Sequence, residues 1–429
     1  MHWIPAPLRI PGFRAYWFAR WTSTIGQLAM VIVIGWQVYD IARETMSVPE
    51  ASFRLGIIGL VQFIPLFVLV PVSGYAADHF DRRRVGRATI GLELGCAAAL
   101  GWLAWSHSTT LTALFVVAAL LGVARAFSGP AFQALAPNLV PREILPTAIA
   151  LSSISWQSGS IIGPALGGYL YAVSPATPYA VAAILFAISF AATLAIPPLP
   201  LREADLSSSL WRRTTEGFRY VRTNRLVLGA ISLDLFAVLL GGATAMLPVF
   251  ARDVLHSGAE GLGHLRAAPA LGATLTAAWF TFRPMKTNVG VKMLWAVALF
   301  GAATVVFGLS TSMPLSLVSL VVLGAADMFS VNIRQSLVQL HTPDEKRGRV
   351  GAVSSLFISA SNELGEAESG MLAALIGPVV AVVVGGIGAV VVVAVWAWKF
   401  PELRLAKSFD PPDMGDQHLT ASDQKEPVT

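Results

Sequence analysis

The chain holds few of the residues on which disulfide frameworks and metal sites depend. Its 429 residues include one cysteine, Cys96, which lies in an apolar run and therefore excludes a disulfide framework and a thiolate metal cluster. The seven histidines are scattered without the spacing of metal ligands, so we expect neither a metal nor another cofactor. The loops are short and hold no clustered catalytic residues, which argues against a membrane enzyme or a sensor.

Charged residues are scarce as well, at 13% of the chain, whereas a soluble domain carries about 25%. Hydrophobic residues make up 55%, and a water-soluble fold of this composition would expose large apolar faces. We therefore expect the protein to lie in a lipid bilayer. The net charge of +5 comes from basic residues in short loops between apolar runs, a distribution that calls for a topological explanation and not for a nucleic-acid partner.

Twelve apolar runs are each long enough to cross the ~30 Å hydrocarbon core as a helix. They cover about residues 14–41, 53–77, 86–106, 110–134, 145–172, 177–197, 225–250, 261–282, 290–310, 313–338, 349–376 and 378–399. The sequence thus predicts an all-α membrane protein with twelve transmembrane helices.

Basic residues differ between the loops on the two sides of these spans. Three of them, Arg43, Arg54 and Arg252, belong to loops of one parity, and seventeen belong to loops of the other. Because cytoplasmic loops are enriched in Lys and Arg, the richer loops and both termini are predicted to be cytoplasmic, in a bacterial inner membrane. The seventeen are Arg82, Arg83, Arg84, Arg87, Arg142, Arg202, Arg212, Arg213, Arg219, Arg222, Arg225, Arg283, Lys286, Lys292, Lys346, Arg347 and Arg349.

An internal duplication relates residues 121–170 to residues 323–372 without a gap, at an offset of 202 positions. Such a repeat within apolar sequence is typical of membrane transporters that are built from two homologous halves. It predicts a six-helix bundle at 1–197 and a second at 225–400. The basic segment 198–224 between them fits either a short amphipathic helix on the inner leaflet or a solvated linker, and 401–429 reads as a disordered cytoplasmic tail.

The loop after the second span carries a motif formed by Gly74, Ala77, Asp78, Arg82 and Arg83. It resembles the signature of the major facilitator superfamily at this place, although His79 stands where that signature has Arg and Asp81 where it has Gly. The resemblance implies a cytoplasmic gate in which Asp78 pairs with Arg82 or Arg83. A plain positive-inside stop signal is the alternative.

Two further motifs lie inside the spans. Arg125 and Gly129 on the fourth span resemble the second motif of the superfamily, and an unpaired arginine at that depth costs several kcal/mol, so Arg125 must face an acid, a carbonyl or water. Either it acts in transport or it forms a fixed salt bridge between two helices. The fifth span carries Gly159, Gly163, Pro164, Gly167 and Gly168, which match the pattern of the exporters of this superfamily. There proline bends the helix and the glycines allow close packing.

The second half differs from the first by acidic residues. Asp327 occupies the register of Arg125, Glu363 that of Ile161 and Glu366 that of Pro164, while Asp234 lies about nine residues into the seventh span. All are predicted to lie well inside the membrane, where acids are natural proton carriers. The alternative is that some of them neutralise Arg334 or bond to neighbouring helices.

Residues 35–40, 233–255 and 324–370 resemble the enterobactin-exporter branch of the superfamily, and the resemblance covers essentially all of 9–400. It implies a two-bundle fold that rocks about a central site lined by spans one, four, seven and ten. We predict a monomeric, proton-coupled exporter, an antiporter, of a siderophore, drug or metabolite. An uncoupled facilitator or an importer is the alternative on this scaffold.

Within this interpretation, each candidate residue has a predicted role. Trp36, Gln37 and Asp40 are predicted to contact cargo near the outer mouth, and Arg125 to hold a carboxylate or an anionic group of the cargo. Asp234, Asp327, Glu363 and Glu366 are the candidate proton sites.

Overall fold

The computed structural model describes residues 5–69, 72–73, 76, 80–198, 210–283, 285 and 287–409, and within them the ordered elements are all helical. We number the long helices of the two bundles α1 to α12. They are α1 (Pro11–Thr45), α2 (Val48–Val68), α3 (Arg82–Trp105), α4 (Leu111–Leu135), α5 (Leu145–Val173), α6 (Thr177–Leu194), α7 (Arg225–Leu240), α8 (Gly258–Phe282), α9 (Val289–Leu309), α10 (Met313–Leu340), α11 (Asp344–Ile376) and α12 (Pro378–Lys399). The all-α membrane fold predicted from the sequence is confirmed.

Nine helical segments in the described part of the chain are long and apolar enough to cross a membrane. The remaining three long helices, α5, α8 and α11, have 29, 25 and 33 residues and are more polar. They alternate with the apolar helices in an order that is consistent with twelve crossings. We call the side that holds the start of α1 and the end of α12 the terminal face, and the opposite side the distal face.

The seventh predicted span is a broken helix and not the continuous helix that hydropathy suggests. Helix α7 ends at Leu240, and a 3₁₀ turn (Ala243–Met246), a short helical turn and a π-helix (Phe250–Val254) follow. The break falls at Gly241 and Gly242, where α11 approaches closely. A Cβ atom on Gly242 would lie 2.8 Å from the carbonyl oxygen of Gly365, so the missing side chain makes room for the backbone of α11.

Equivalent helices of the two halves have equivalent neighbours. In the first half α1 packs on α5 and α6, and α3 packs on α4 and α6; in the second half α7 packs on α11 and α12, and α9 packs on α10 and α12. The halves meet where α2 contacts α11 and α5 contacts α8, which are again equivalent pairs. This pseudo-symmetry agrees with the duplication in the sequence.

Buried apolar residues form two clusters in the described chain. One belongs to α1–α6, and the other combines α7–α12 with distal residues of α1 and α2, among them Trp36, Tyr39 and Leu55. The halves therefore share a packed core at the distal face. This sharing closes the distal side of the interface between them.

A linker helix (Leu210–Thr223) connects the halves and docks on the second one. Tyr220 donates a hydrogen bond of 2.6 Å to the carbonyl oxygen of His341, and Glu216 forms an ion pair with Arg349. Phe218 stacks on Phe357. The structure shows a helix over Leu210–Thr223 of this segment, and its position on the inner leaflet stays a prediction.

Candidate functional site

A charged pair joins the two halves at the middle of the bundle. Arg125 of α4 contacts Glu363 of α11 with a distance of 2.9 Å between Nη1 and Oε1. The same Nη1 donates a hydrogen bond of 3.3 Å to the Oε1 atom of Gln62 on α2. The carboxylate is 10% exposed and the guanidinium 35%, so the pair lies at the edge of an open space between the halves. Breaking it would leave a charge in a poorly solvated place, which is costly.

A small cavity lies between the halves beside this pair. Its polar wall is formed by Gln62, Arg266 and Glu366, and its apolar wall comes from both halves. The Nε atom of Arg266 is buried and has no hydrogen-bond partner, and within the described residues Glu366 forms no ion pair shorter than 4 Å. The apolar residues are Val31, Ile32, Gly35, Leu55 and Ile58 of the first half and Ala245, Pro248 and Leu262 of the second. An arginine and an acid with free hydrogen-bonding capacity make this cavity a ready place for a polar ligand.

The other two acids predicted in the second half have different surroundings. Asp234 forms an ion pair with Arg334 of α10, and both side chains are almost completely buried, at 11% and 4% exposed. Asp327 lies on α10, as Arg334 does, and has no hydrogen bond or ion pair with any residue in the described part of the chain. Thus Asp234 has a cation partner within its own half, whereas Asp327, which is partly buried, has none among the described residues.

The glycine motif of α5 packs against α1. A Cβ atom on Gly159 would lie 2.7 Å from the Cγ2 atom of Thr24, and one on Gly163 would lie 2.8 Å from the carbonyl oxygen of Ile25. Gly167 approaches the backbone of α1 one turn further along in the same way. The three glycines, four residues apart, thus form one face on which α1 lies with its backbone in contact. Helix α5 continues through Pro164, and its bend there stays a prediction.

Gly168 has a different partner, in the other half. A Cβ atom on it would lie 2.6 Å from the Cα atom of Gly263 on α8. Gly370, its equivalent in the duplication, meets Gly56 of α2 in the same manner. Both glycine–glycine contacts lie in the distal part of the interface between the halves. The repeat therefore places a close backbone contact at each of the two symmetric helix crossings.

Five polar residues close the distal face, and we call them the distal latch. Arg252 donates to the Oδ1 atom of Asp40 at 2.5 Å and to its carbonyl oxygen at 2.7 Å. Arg43 pairs with Asp253 at 3.1 Å, and Tyr39 donates a hydrogen bond of 2.5 Å to the same carboxylate. Each half supplies one cation and one anion. The residues of the second half, Arg252 and Asp253, lie on the π-helix, an irregularity that is frequent at functional sites.

The latch and the neighbouring packing include the three residues that the sequence predicts as cargo contacts. Asp40 is part of the latch, Gln37 accepts a hydrogen bond of 2.6 Å from Tyr179, and Trp36 packs edge-on against Tyr171. Gln37 and Trp36 are buried. In this conformation all three residues hold helices together.

Exchanging the charges of the Asp40–Arg252 pair should restore the closure of the distal face that reversal of one charge disrupts. Arg252→Asp or Asp40→Arg places like charges together and should increase the distance between spin labels at Val173 and Thr311, on distal ends of the two halves, in a Cys96→Ala background. The double variant should return to the short distance. Partly exposed pairs contribute about 0.2–1 kcal/mol, so the population of the closed form should recover by a factor of roughly 1.4 to 5. A double variant as open as either single variant would contradict this pairing.

On the terminal face, the predicted gate is described in part. Gly74 and Asp78 lie outside the described residues, together with Ala77 and His79. Arg83 pairs with Asp81 at 2.6 Å and donates to the carbonyl oxygen of Ile196 at 3.2 Å. The hydrogen bond from Arg83 holds the pKa of the Asp81 carboxyl below its usual value. The residue that departs from the superfamily pattern therefore supplies a partner for Arg83, while Arg82 also interacts with its surroundings.

One buried acid of the first half was not predicted from the sequence as a site residue. Glu93 lies in the middle of α3 with a fully buried side chain. Its carboxylate accepts hydrogen bonds from Gln27 at 2.5 Å and from Ser23 at 3.2 Å, both on α1. The signal was present as a single glutamate among the apolar residues 88–105. Arg266 was missed in the same way, as one arginine within the eighth span.

Comparison with known proteins gives a family for this arrangement. The family model described as transmembrane secretion effector matches residues 3–422. The enterobactin exporter EntS of Citrobacter koseri is 28% identical over 418 residues, which cover 95% of each chain. The EntS protein of an Escherichia coli O1:K1 strain is 27% identical over 425 residues, covering 96% of each.

Solved structures share the fold at low sequence identity. A bacterial homologue of the human lysosomal transporter Spinster superposes with a TM-score of 0.73 at 13% identity, covering 95% of this chain and 100% of that one. The xylose transporter XylE from E. coli superposes with a TM-score of 0.68 at 13% identity, covering 95% and 99%. The likeness extends over both halves.

Proposed function

The chain belongs to the transmembrane secretion effector family of the major facilitator superfamily, and we propose that it is a proton-coupled exporter of a small molecule. It is a multi-pass membrane transporter and not an enzyme. The observation that carries the proposal is the Arg125–Glu363 pair, because this ion pair joins the two halves beside a cavity with unpaired polar groups. A site of this kind can change its contacts when the halves separate.

Cargo would meet charged groups of both signs in the centre. Arg125, Arg266, Glu363 and Glu366 provide two cations and two anions, and Gln62 adds an amide. Such a set suits a polar cargo with hydrogen-bond donors and acceptors on an otherwise apolar body. Because the named relatives are enterobactin exporters, siderophores are the first candidates, followed by drugs and other metabolites.

The surroundings of the acids divide them between two roles. We assign proton binding to Asp327, Glu363 and Glu366, which have either no cation or one that belongs to the other half. We assign Asp234 a structural role because Arg334 neutralises it within the same half. Trp36, Gln37 and Asp40 are assigned to closure of the distal face, and the terminal-face gate with Gly74, Asp78, Arg82 and Arg83 remains part of the proposal.

Orientation and coupling complete the proposal. The positive-inside distribution predicts that the terminal face lies in the cytoplasm of a bacterium, so the closed distal latch would make this the conformation that takes up cargo from inside. Protons entering from outside would then drive the return of the empty carrier. The halves would rock as bodies made of residues 1–197 and 225–400.

The experiment is a comparison of compound accumulation in cells with and without the protein. A panel of siderophores, dyes and antibiotics should include a compound whose accumulation falls when the protein is present, and collapse of the proton gradient should abolish the difference. Asp327→Asn should reach the membrane and yet fail to export that compound, whereas Glu368→Gln, which removes a neighbouring carboxylate of α11, should export it normally. Flux that ignores the gradient would favour the uncoupled facilitator, and gradient-driven uptake would favour the importer.

A further inference from the structure

The buried acid Glu93 is placed where a transport cycle could use it. It lies twelve residues into α3 and twelve before the end of that helix, at the depth of Arg125 on the adjacent helix α4. Its side chain is 0% exposed. Gln27 and Ser23 of α1 each donate to one of its two oxygens. The acid is thus buried, and each of its two oxygens accepts a hydrogen bond from α1.

No cation balances Glu93 in the described part of the chain, although one lies nearby. Arg125 is the one charged residue in the sequences of α4 and α6, which both pack against α3. It interacts with Glu93 electrostatically, but its ion pair is with Glu363 of the other half. Arg20 of α1 makes no ion pair with Glu93 within 4 Å, and Cys96 is a titratable group one turn further along α3. Burial without an adjacent cation favours the uncharged form of a carboxyl group, whereas the two hydrogen-bond donors of α1 stabilise the carboxylate, so both forms are available to Glu93.

We propose that Glu93 is a proton-binding site and that Arg125 exchanges counter-ions between Glu363 and Glu93 as the halves move. This inference rests on the proposed export function and adds a residue and a switching step to it. With the distal face closed, Arg125 pairs with Glu363 and Glu93 carries a proton. With the distal face open, the halves are apart, Arg125 turns to Glu93 within its own half, and Glu93 is a carboxylate.

The exchange makes proton and cargo exclude each other. When cargo engages Glu363 from the terminal face, Arg125 is released and pairs with Glu93, whose O–H bond breaks and gives the proton to water of that side. The tie between the halves is then lost, and the distal face opens. After cargo has left, a proton from the distal side binds the Glu93 carboxylate, which frees Arg125 to draw the halves together through Glu363. Through Glu93, one proton enters for each cargo molecule that leaves.

The test needs no cargo, because the proton should move the same equilibrium. Purified protein with Cys96→Ala and spin labels at Val173 and Thr311 is measured from about pH 5 to about pH 9, which covers the range in which a perturbed carboxyl titrates. Raising the pH should increase the distance between the labels. Glu93→Gln, which resembles the protonated acid, should keep the short distance at every pH, and Glu93→Asp should keep a pH response.

A second variant protects the test against loss of folding in Glu93→Gln. Gln27→Met removes a donor to the carboxylate but leaves the acid, so the pH at which the distal face opens should rise. The matched control is Glu368→Gln, which should behave as the parent protein. A merely structural role for Glu93 would lower thermal stability in the variants while the pH response stayed.

Three outcomes would overturn the switch: a parent protein without a pH response, a Glu93→Gln protein that keeps the parent's response, or a Gln27→Met protein whose opening does not move. The proposed function is judged separately by gradient-driven export. If export depends on the gradient while Glu93→Gln responds to pH as the parent does, the export function stands and the switch fails. If the pH switch is present and export ignores the gradient, the switch stands and the proposed proton-coupled export fails.

Discussion

Replacing Glu363 by Gln should reduce gradient-driven export to the level of cells that lack the protein. The substitution keeps the shape of the side chain but removes the charge that holds Arg125 from across the interface. Removal of one partner of a buried ion pair costs about 3–5 kcal/mol when the other stays buried and unpaired. Because Arg125 is 35% exposed, water will offset part of that energy, and folding should survive while the tie between the halves is lost.

The measurement is export of the panel compound that the parent protein transports, together with the amount of protein in the membrane. Glu368→Gln on the same helix is the matched control and should retain export. Arg125→Ala should also abolish export, since it removes the other end of the tie. Normal export by both Glu363→Gln and Arg125→Ala would leave the pair with no role in coupling.

A Gly168→Leu substitution should have the second large effect, by preventing closure of the distal face. A Cβ atom alone would lie 2.6 Å from the Cα atom of Gly263 and 3.0 Å from the carbonyl oxygen of Ala259, so α5 and α8 must move apart. Overpacking of this kind costs about 1–3 kcal/mol, which changes the ratio of two conformations by roughly 5- to 150-fold. Export should fall sharply, and the labels at Val173 and Thr311 should move apart.

Gly95→Leu is the control for this prediction, because nothing lies within 4 Å of a Cβ atom at that position of α3. It should leave both the distance and export unchanged. Gly370→Leu, at the equivalent crossing with Gly56, should reproduce the effect of Gly168→Leu. Equal behaviour of Gly95→Leu and Gly168→Leu would show that the glycine contact does not control closure.

Hydropathy predicted most of the helices but missed the break in the seventh span. The segment 225–250 stays mostly apolar beyond Leu240, so hydropathy alone does not mark the end of the helix there. The break depends on Gly242 meeting the backbone of α11 at Gly365, which is more than 120 residues away in sequence. A contact at that separation leaves no trace in local periodicity. The duplication, in contrast, predicted the pairing of equivalent helices because each half repeats the same pattern.

The acids show the limit of prediction from residue type. Their depth follows from counting along a helix, and on that basis Asp234 and Asp327 look alike. In the structure Asp234 pairs with Arg334, while Asp327 has no partner among the described residues. The difference arises from the rotation of each helix about its axis, which decides which neighbour a side chain faces. Glu93 was overlooked because its importance comes from the nearness of Arg125.

By itself, the sequence determined the solvent, the helical class and the two-fold repetition of this protein. These follow from composition and from patterns along the chain, since a bilayer leaves few alternatives for an apolar backbone. The tertiary structure decided which charges meet. Arg125 with Glu363, the reciprocal latch of Asp40 and Arg252, and the enclosure of Glu93 all join distant segments, and their geometry is set by helix packing across and within the halves.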